Sequence, residues 1–190
     1  SKQTIVFIDD KQKAHWAYFI SFLATDTDAL ARPTFILDAN TLTAYQAWND
    51  IKTLAAGGFG GNHKTGKKIF DGSQGNLPTF EVRRYDNKCY TANNEYVLSD
   101  YRTDDVVHFA CKKPNAAHNN IYWSGNFDKV ATTFSPTNDV MFGLKVAINM
   151  FNEWYHRPVI SKDEKPVLIQ AAVHLTVSNA YWLSGRAVFG

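Results

Sequence analysis

Only one stretch of this 190-residue chain carries apolar residues at helical spacing, and that restriction decides the expected fold class. The stretch covers 135–158 and reads SPTNDVMFGLKVAINMFNEWYHRP. Ser135 is a favourable N-cap, Pro136 suits the first helical position, and Pro158 ends the run. The apolar positions that recur along one helical face are Val140, Leu144, Ala147, Phe151 and Trp154 or Tyr155. The pattern predicts one long amphipathic helix over about 136–156.

The remaining chain shows the alternation and the turn residues of short strands. In the first fifty residues, TIVFIDD, AHWAYFISFLATD and RPTFILDANTLTAYQAW predict a small antiparallel sheet, with Asp38-Ala39-Asn40 as a hairpin turn. The segment 68–131 is also rich in predicted strands. After the helix, VLIQAAVHLTV predicts a strand with Val167 to Leu175 alternating on one face. The expected fold is α+β, mostly antiparallel β with one long helix, preceded by a small separate sheet.

A glycine-rich segment, LAAGGFGG at 54–61, follows the first predicted sheet. Four glycines are costly to order in a helix or a strand, so the segment predicts a break in regular structure and a domain or processing boundary. The next residues, NHKTGKK, have some likeness to a phosphate-binding loop. His63 stands where that motif requires a glycine before Lys64, so we exclude the phosphate loop.

Charge and hydropathy exclude two classes of partner. The formal net charge is only +2 and the Lys and Arg residues are scattered, so we expect no nucleic acid partner. No run of 18 apolar residues occurs, so we expect no membrane span. The chain begins without a basic region followed by an apolar one, so we expect any signal peptide to lie upstream of Ser1.

Two cysteines, Cys89 and Cys111, lie in the strand-like segments NKCYTA and VVHFACKK. Neighbouring strands of one sheet can bring two Cα atoms within the roughly 4.4–6.8 Å that a disulfide needs. The residues alone leave two alternatives open, a disulfide or two separate buried thiols. Neither cysteine belongs to a C-x-x-C pair, so a zinc ribbon and a thioredoxin-like site are excluded.

The chain shows no recognisable catalytic constellation of its own. Its six histidines, at positions 15, 63, 108, 118, 156 and 174, include no pair at the spacing of helix-borne zinc ligands. Neither H-E-x-x-H nor a G-x-S-x-G elbow occurs. We expect His174 to be a residue of the last long strand with a satisfied ring nitrogen.

The order of motifs carries more information than any single site. AGGFGGNHKTG, a β-rich stretch with two cysteines, SPTNDVMFG, VHLTVSNAYW and AVFG follow one another. This succession resembles the mature N-terminus of thermolysin-like zinc metalloendopeptidases, especially the pseudolysin and vibriolysin branch. The segment FILDANTLTAYQAWNDI resembles the end of that family's propeptide. The resemblance implies a propeptide tail at 1–53 and, at 54–190, the N-terminal part of the catalytic unit.

The resemblance also implies a secreted, extracellular endopeptidase that cuts proteins or peptides before apolar residues. Zinc, and calcium with it, would be bound by residues beyond Gly190, because the chain stops on an apolar strand before the family's zinc-binding helix. The chain would be inactive alone, and its partners would be its own propeptide and the C-terminal remainder of the catalytic unit. The two-cysteine pattern of the branch favours a disulfide between Cys89 and Cys111.

Three residues would bind substrate by this resemblance. Asn179 would use its side-chain amide, Ala180 its backbone carbonyl, and Trp182 its main chain or shape, along the upper edge of the cleft. We expect Tyr181 to pack in the core. Leu183-Ser184-Gly185 stand where the family usually has Asp or Asn followed by Gly, and Met141 stands where close relatives often have His.

The resemblance further implies proteolytic processing, with Thr53, Leu54 and Ala55 at the cut. Residues 1–53 would then stay folded as a separate sheet that can occlude the cleft. The alternative to an enzyme precursor is a secreted β-rich binding module without catalytic activity, which the lack of a zinc motif permits.

Overall fold

The computed structural model of the chain describes residues 1–22, 24–26, 29–50, 52–73, 77–125, 134–163 and 165–190. These residues form two compact units, Ser1–Lys52 and Thr53–Gly190. The fold is α+β, with one helix among many short strands, as the sequence predicted. The described ranges contain one helix. It is not long and apolar enough to cross a lipid bilayer.

The first unit is built on a four-stranded antiparallel sheet in the order β1-β2-β5-β6. Its strands are β1 Lys2–Ile8, β2 Ala14–Ser21, β3 Ala24–Asp26, β4 Ala29–Ala31, β5 Pro33–Asp38 and β6 Ala44–Asn49. The predicted turn after β5 is confirmed. The Asp38 carboxylate accepts hydrogen bonds from the backbone N–H groups of Asn40 and Thr41, both at 2.8 Å, as Asp does in tight turns.

The second unit contains the helix and two larger sheets. Its elements are β7 Lys52–Asn62, β8 Gly66–Phe70, β9 Phe80–Tyr85, β10 Lys88–Tyr90, β11 Tyr96–Asp100, β12 His108–Ala110, β13 Tyr122–Ser124, α1 Pro136–Tyr155, β14 Ser161–Lys162, β15 Lys165–Pro166, β16 Ile169–Val173, β17 Ala180–Leu183 and β18 Arg186–Phe189. One sheet has the order β12-β10-β9-β7-β13, with β8 also paired to β7. The other has the order β11-β16-β18-β17.

Helix α1 begins and ends where the sequence predicted to within one residue. The Ser135 side chain accepts a hydrogen bond from the backbone N–H of Asn138, and His156 ends the helix in a left-handed conformation. The helix packs on β11 and β16. The core between them consists of Phe70, Phe80, Tyr96, Leu98, Met141, Leu144, Ile148, Ile169, Ala171 and Val173.

The glycine-rich segment is not a break, and that prediction was wrong. It forms most of strand β7, which pairs with β13 on one side from Ala56 and with β8 from Gly58. Gly58 and Gly60 are needed because the first turn of α1 lies against this strand. A Cβ atom on Gly58 would lie 2.1 Å from the Asn138 amide nitrogen and 2.1 Å from the Ser124 carbonyl oxygen. Close approach, which the sequence did not reveal, outweighs the entropic cost of ordering glycine.

Two polar side chains of the helix make this contact. Asn138 is fully buried and donates hydrogen bonds to the carbonyl oxygens of Phe59 and Ser124, at 2.8 and 3.1 Å. Asp139 accepts from the backbone N–H of Gly61 at 2.8 Å. Burial raises the pKa of the Asp139 carboxyl, and the Gly61 hydrogen bond opposes that rise. The motif S-P-T-N-D therefore anchors the start of α1 to the glycine strand.

The predicted strand after the helix is shorter than expected. Alternation was predicted to continue to Leu175, but β16 ends at Val173 because His174 adopts a left-handed backbone with φ of 69°. β16 also pairs in parallel with both β11 and β18, so this sheet is mixed. Ala171, Ala172 and Val173 follow one another in β16 and are all buried, so both faces of this strand are covered.

The predicted disulfide is confirmed. Cys89 and Cys111 are bonded, with Cα atoms 5.7 Å apart. Cys89 lies in β10, and Cys111 directly follows β12, the strand paired with β10. Both sulfurs lie in a small apolar cluster with Ala56 and Val82. The disulfide thus ties the edge strand β12 to its neighbour β10.

Candidate functional site

Strand β17 is the edge strand of its sheet. It pairs antiparallel with β18, from Ala180 opposite Phe189 to Leu183 opposite Arg186. Strand β18 in turn pairs in parallel with β16, so within the described residues β17 has a neighbour on one side only. All four of its residues are exposed. An edge strand of this kind can pair with a further extended chain.

The backbone of β17 determines which groups face the open edge. The carbonyl oxygen of Asn179 accepts a hydrogen bond from the Gly190 N–H at 3.0 Å, so it points toward β18. Backbone polar groups of successive strand residues point in opposite directions. The N–H and C=O of Ala180 therefore face the open edge, and those of Trp182 do so as well.

The side chain of Asn179 lies at this open edge. Its Oδ1 accepts a hydrogen bond from the Ala180 N–H at 2.8 Å, in the position that the carbonyl of a paired strand would occupy. Its Nδ2 donates to the hydroxyl oxygen of Tyr181 at 3.1 Å. The Ala180 carbonyl remains directed outward beside this amide. A peptide laid along the edge would meet an acceptor and a side-chain amide next to each other.

The two aromatic residues of β17 are more exposed than we expected for Tyr181. That residue was predicted to pack in the core, and this is wrong, because Tyr181 is 45% exposed. Trp182 is 58% exposed. The reason is the edge position: no described element covers either face of the sheet at this strand.

A two-residue turn joins β17 to β18. Leu183 pairs with Arg186, and the two residues between them, Ser184 and Gly185, have φ of 49° and 81°. Two consecutive positive φ values are typical of the type I′ turn, whose twist matches that of a hairpin. The unusual Leu183-Ser184-Gly185 sequence therefore still closes a regular hairpin, although serine is strained at a position where Asn or Gly is preferred.

The loop before β17 is attached to β11 through a charged cluster. His174 Nδ1 lies 2.9 Å from an Asp100 carboxylate oxygen, and Arg102 donates to the same carboxylate at 2.5 Å. The hydrogen bonds from Arg102, and then from His174, hold the pKa of Asp100 well below its usual range. His174 was predicted to be a strand residue with a satisfied ring nitrogen. It lies one position past β16, and its ring nitrogen is satisfied.

The turn that contains Asp100 and Arg102 also contacts β18, the second strand of the hairpin. Arg186 in β18 donates to the Asp104 carboxylate at 2.6 Å, and its guanidinium lies 5.3 Å from the centre of the Tyr101 ring. Sequence reasoning did not find this turn, which spans 100–105. No local motif marks it, because its partners lie about seventy to eighty positions further along the chain.

The residues predicted for processing lie at the start of the second unit. Thr53 and Ala55 are exposed in β7, while Leu54 is half-buried against the cluster that holds the disulfide. Met141, where a histidine was expected in close relatives, is almost fully buried in the core under α1. It therefore packs as an ordinary core residue.

The structure also allows a test of whether these residues fit a metal. Across the described ranges, no group of three or more His, Cys, Asp and Glu side chains converges in a way that could hold a metal ion. None of the geometry above depends on a metal.

Comparison with known proteins agrees with this architecture. The family model described as the catalytic domain of thermolysin metallopeptidases matches residues 64–190, which is more than half of the chain. A zinc metalloproteinase of Legionella pneumophila is 32% identical over 206 residues, which cover 98% of this chain and 37% of that protein. The hemagglutinin/proteinase of Vibrio cholerae is 29% identical over 202 residues, covering 99% of this chain and 30% of that protein.

The similarity therefore extends along almost the whole chain, including the first unit, which the family model does not cover. A neutral protease of Vibrio proteolyticus, 26% identical over 196 residues, aligns with 99% of this chain and 30% of its own length. The chain thus spans less than two fifths of the length of these relatives. From the matched residues, the chain belongs to the thermolysin metallopeptidase family.

Proposed function

We propose that this chain is part of the precursor of a zinc endopeptidase. Residues 1–53 form the end of its propeptide, and 54–190 form the N-terminal part of its catalytic unit. The whole protein hydrolyses peptide bonds and accepts apolar residues after the cut. Zinc and calcium are held by residues beyond Gly190, as the family resemblance implies.

The observation that carries the proposal is the open edge of β17. A substrate in extended form would add to the sheet as a further strand. The Ala180 carbonyl would accept a hydrogen bond from a substrate N–H, and the Asn179 amide would bind the next backbone group. Trp182 would contribute its outward main-chain groups and shape. Backbone pairing of this kind holds a peptide in register without selecting a particular side chain.

The main test is Asn179→Ala in the whole protein. Loss of an amide that binds the substrate backbone should lower kcat/KM by about thirtyfold, or about 2 kcal/mol of transition-state binding. The measurement is steady-state hydrolysis of a fluorogenic peptide with an apolar residue after the cut. Stability should change little, because the Asn179 side chain is exposed.

Asn149→Ala is the matched control, because Asn149 is an exposed asparagine on α1. It should leave kcat/KM unchanged. If Asn179→Ala also left kcat/KM unchanged, the substrate role of Asn179 would be refuted. If the whole protein hydrolysed no peptide, the alternative of a β-rich binding module would replace the enzyme.

We further propose that the protein acts outside the cytosol. Buried disulfides such as Cys89–Cys111 persist in oxidising compartments and are rare in the cytosol. In this setting the propeptide and the C-terminal remainder of the catalytic unit are its partners within the same protein. Protein substrates are its partners in solution.

Processing is expected within Thr53, Leu54 and Ala55, before Leu54 or Ala55. Two features support this position: the first compact unit ends at Lys52, and Thr53 and Ala55 are exposed. Leu54 offers the apolar residue that enzymes of this family favour after the cut. N-terminal sequencing of the mature protein checks the prediction. A mature terminus well inside the β-rich region, or retention of Ser1 in the active enzyme, would contradict it.

A further inference from the structure

We propose that Tyr181 is a positioning residue for substrate binding: its hydroxyl holds the Asn179 amide in the orientation that receives the substrate backbone. This inference rests on the proposed role of the β17 edge. It adds a second residue to that role and explains why an exposed tyrosine lies there.

Strand geometry places the two side chains together. Asn179 directly precedes β17, and Tyr181 is the second residue of that strand, so the two side chains lie close enough to meet. The Asn179 Nδ2 donates to the Tyr181 hydroxyl at 3.1 Å, while Oδ1 accepts from the Ala180 N–H at 2.8 Å. Both ends of the amide are thus held, one by a side chain and one by the backbone.

These two contacts also define which way the amide faces. Oδ1 must be the atom beside the Ala180 N–H, because only the oxygen can accept that hydrogen bond. Nδ2 is then directed at the tyrosine oxygen. A side-chain amide has two N–H groups and two oxygen lone pairs, so one donor and one acceptor site remain for a ligand. A substrate backbone offers the complementary pair, one carbonyl and one N–H.

The position of Tyr181 at the edge of the sheet supports a positioning role for its hydroxyl. Tyr181 is 45% exposed in this chain, and its hydroxyl accepts a hydrogen bond from the Asn179 amide. Its cross-strand neighbour is Val188, which is fully buried, while the Tyr181 hydroxyl reaches the Asn179 side chain. The ring therefore acts as a spacer that carries a polar group to Asn179.

Holding the amide before substrate arrives lowers the entropic cost of binding. A free asparagine side chain must be immobilised when it binds, and immobilising one side chain weakens binding by a few-fold up to about tenfold. Removing the hydroxyl should leave the Asn179 amide able to bind, but no longer held in advance.

The test uses Tyr181→Phe in the whole protein with the same fluorogenic peptide. We expect KM to rise about fivefold with kcat nearly unchanged, as for an interaction equally strong in ground and transition states. The affinity of an uncleaved product peptide, measured by calorimetry, should fall by the same factor. Tyr155→Phe is the matched control, because Tyr155 is an exposed tyrosine on α1, and it should change neither quantity.

A double-mutant cycle separates this inference from the proposed function. In the Asn179→Ala background, Tyr181→Phe should have no further effect, because the group that it positions is absent. If Asn179→Ala lowers kcat/KM but Tyr181→Phe alone changes nothing, or tightens binding, the positioning role is overturned and the edge site stands. Equal effects of Tyr181→Phe in both backgrounds would also overturn it. An Asn179→Ala variant with unchanged kcat/KM would remove the edge site itself.

Discussion

Gly58→Ala is expected to destabilise the unit Thr53–Gly190 by about 3 kcal/mol or more. The added methyl group would lie 2.1 Å from both the Asn138 amide nitrogen and the Ser124 carbonyl oxygen. The second of these atoms is backbone, so relief requires β7 and β13 to separate at a residue pair of their ladder. The same shift would weaken both hydrogen bonds of the buried Asn138 side chain.

Urea denaturation of the chain, followed by circular dichroism and tryptophan fluorescence, measures this effect. Gly143→Ala is the matched control. Gly143 lies within α1, and a Cβ atom there would meet nothing within 4 Å. That substitution should stabilise the unit by about 0.5–1 kcal/mol, because alanine is the better helix former. Equal stability of Gly58→Ala and the unmodified chain would contradict the close contact between β7 and α1.

Replacing both cysteines, as Cys89→Ala with Cys111→Ala, should lower the free energy of unfolding by about 3 kcal/mol. The bond closes a loop with a sequence separation of 22 residues, and opening that loop returns conformational entropy to the unfolded chain. Both residues are also almost fully buried, so the variant loses packing as well as the cross-link.

The comparison is again made by urea denaturation, with the unmodified chain measured oxidised and reduced. Reduction alone should give most of the loss in the free energy of unfolding. It opens the same loop but keeps both cysteine side chains in place. The single variant Cys89→Ala should be as destabilised as the double variant or slightly more, since it leaves one buried thiol unpaired. If reduction leaves the denaturation midpoint unchanged, the disulfide does not stabilise the fold as argued.

Local sequence determined the elements whose signals are local. Helix α1 was predicted because Ser135, Pro136 and the spaced apolar residues all act within a few positions of one another. The turn at Asp38 was predicted for the same reason, since its carboxylate bonds to N–H groups only two and three positions later. The order of motifs was enough to indicate the family, which the matched residues then showed.

The disulfide was indicated partly by the sequence and explained only by the tertiary structure. Strand-like flanks made the pairing of Cys89 with Cys111 possible, but the residues alone did not choose between a bond and two thiols. The resemblance favoured the bond, and the pairing of β10 with β12 shows how the two Cα atoms come within reach.

Only the tertiary structure decided the elements whose partners are distant in sequence. The glycines of β7 are unfavourable in a strand considered alone, and they are favourable once Asn138 lies against Gly58, eighty positions away. Likewise, alternation suggested a strand through His174, whereas a hydrogen bond with Asp100 accompanies the turn that ends it. At the edge, the sequence indicated Asn179, but the exposure of Tyr181 and its bond to that amide depend on β17 having one neighbour. Local propensity sums energies over a few residues, while these features arise from contacts that only the folded chain brings together.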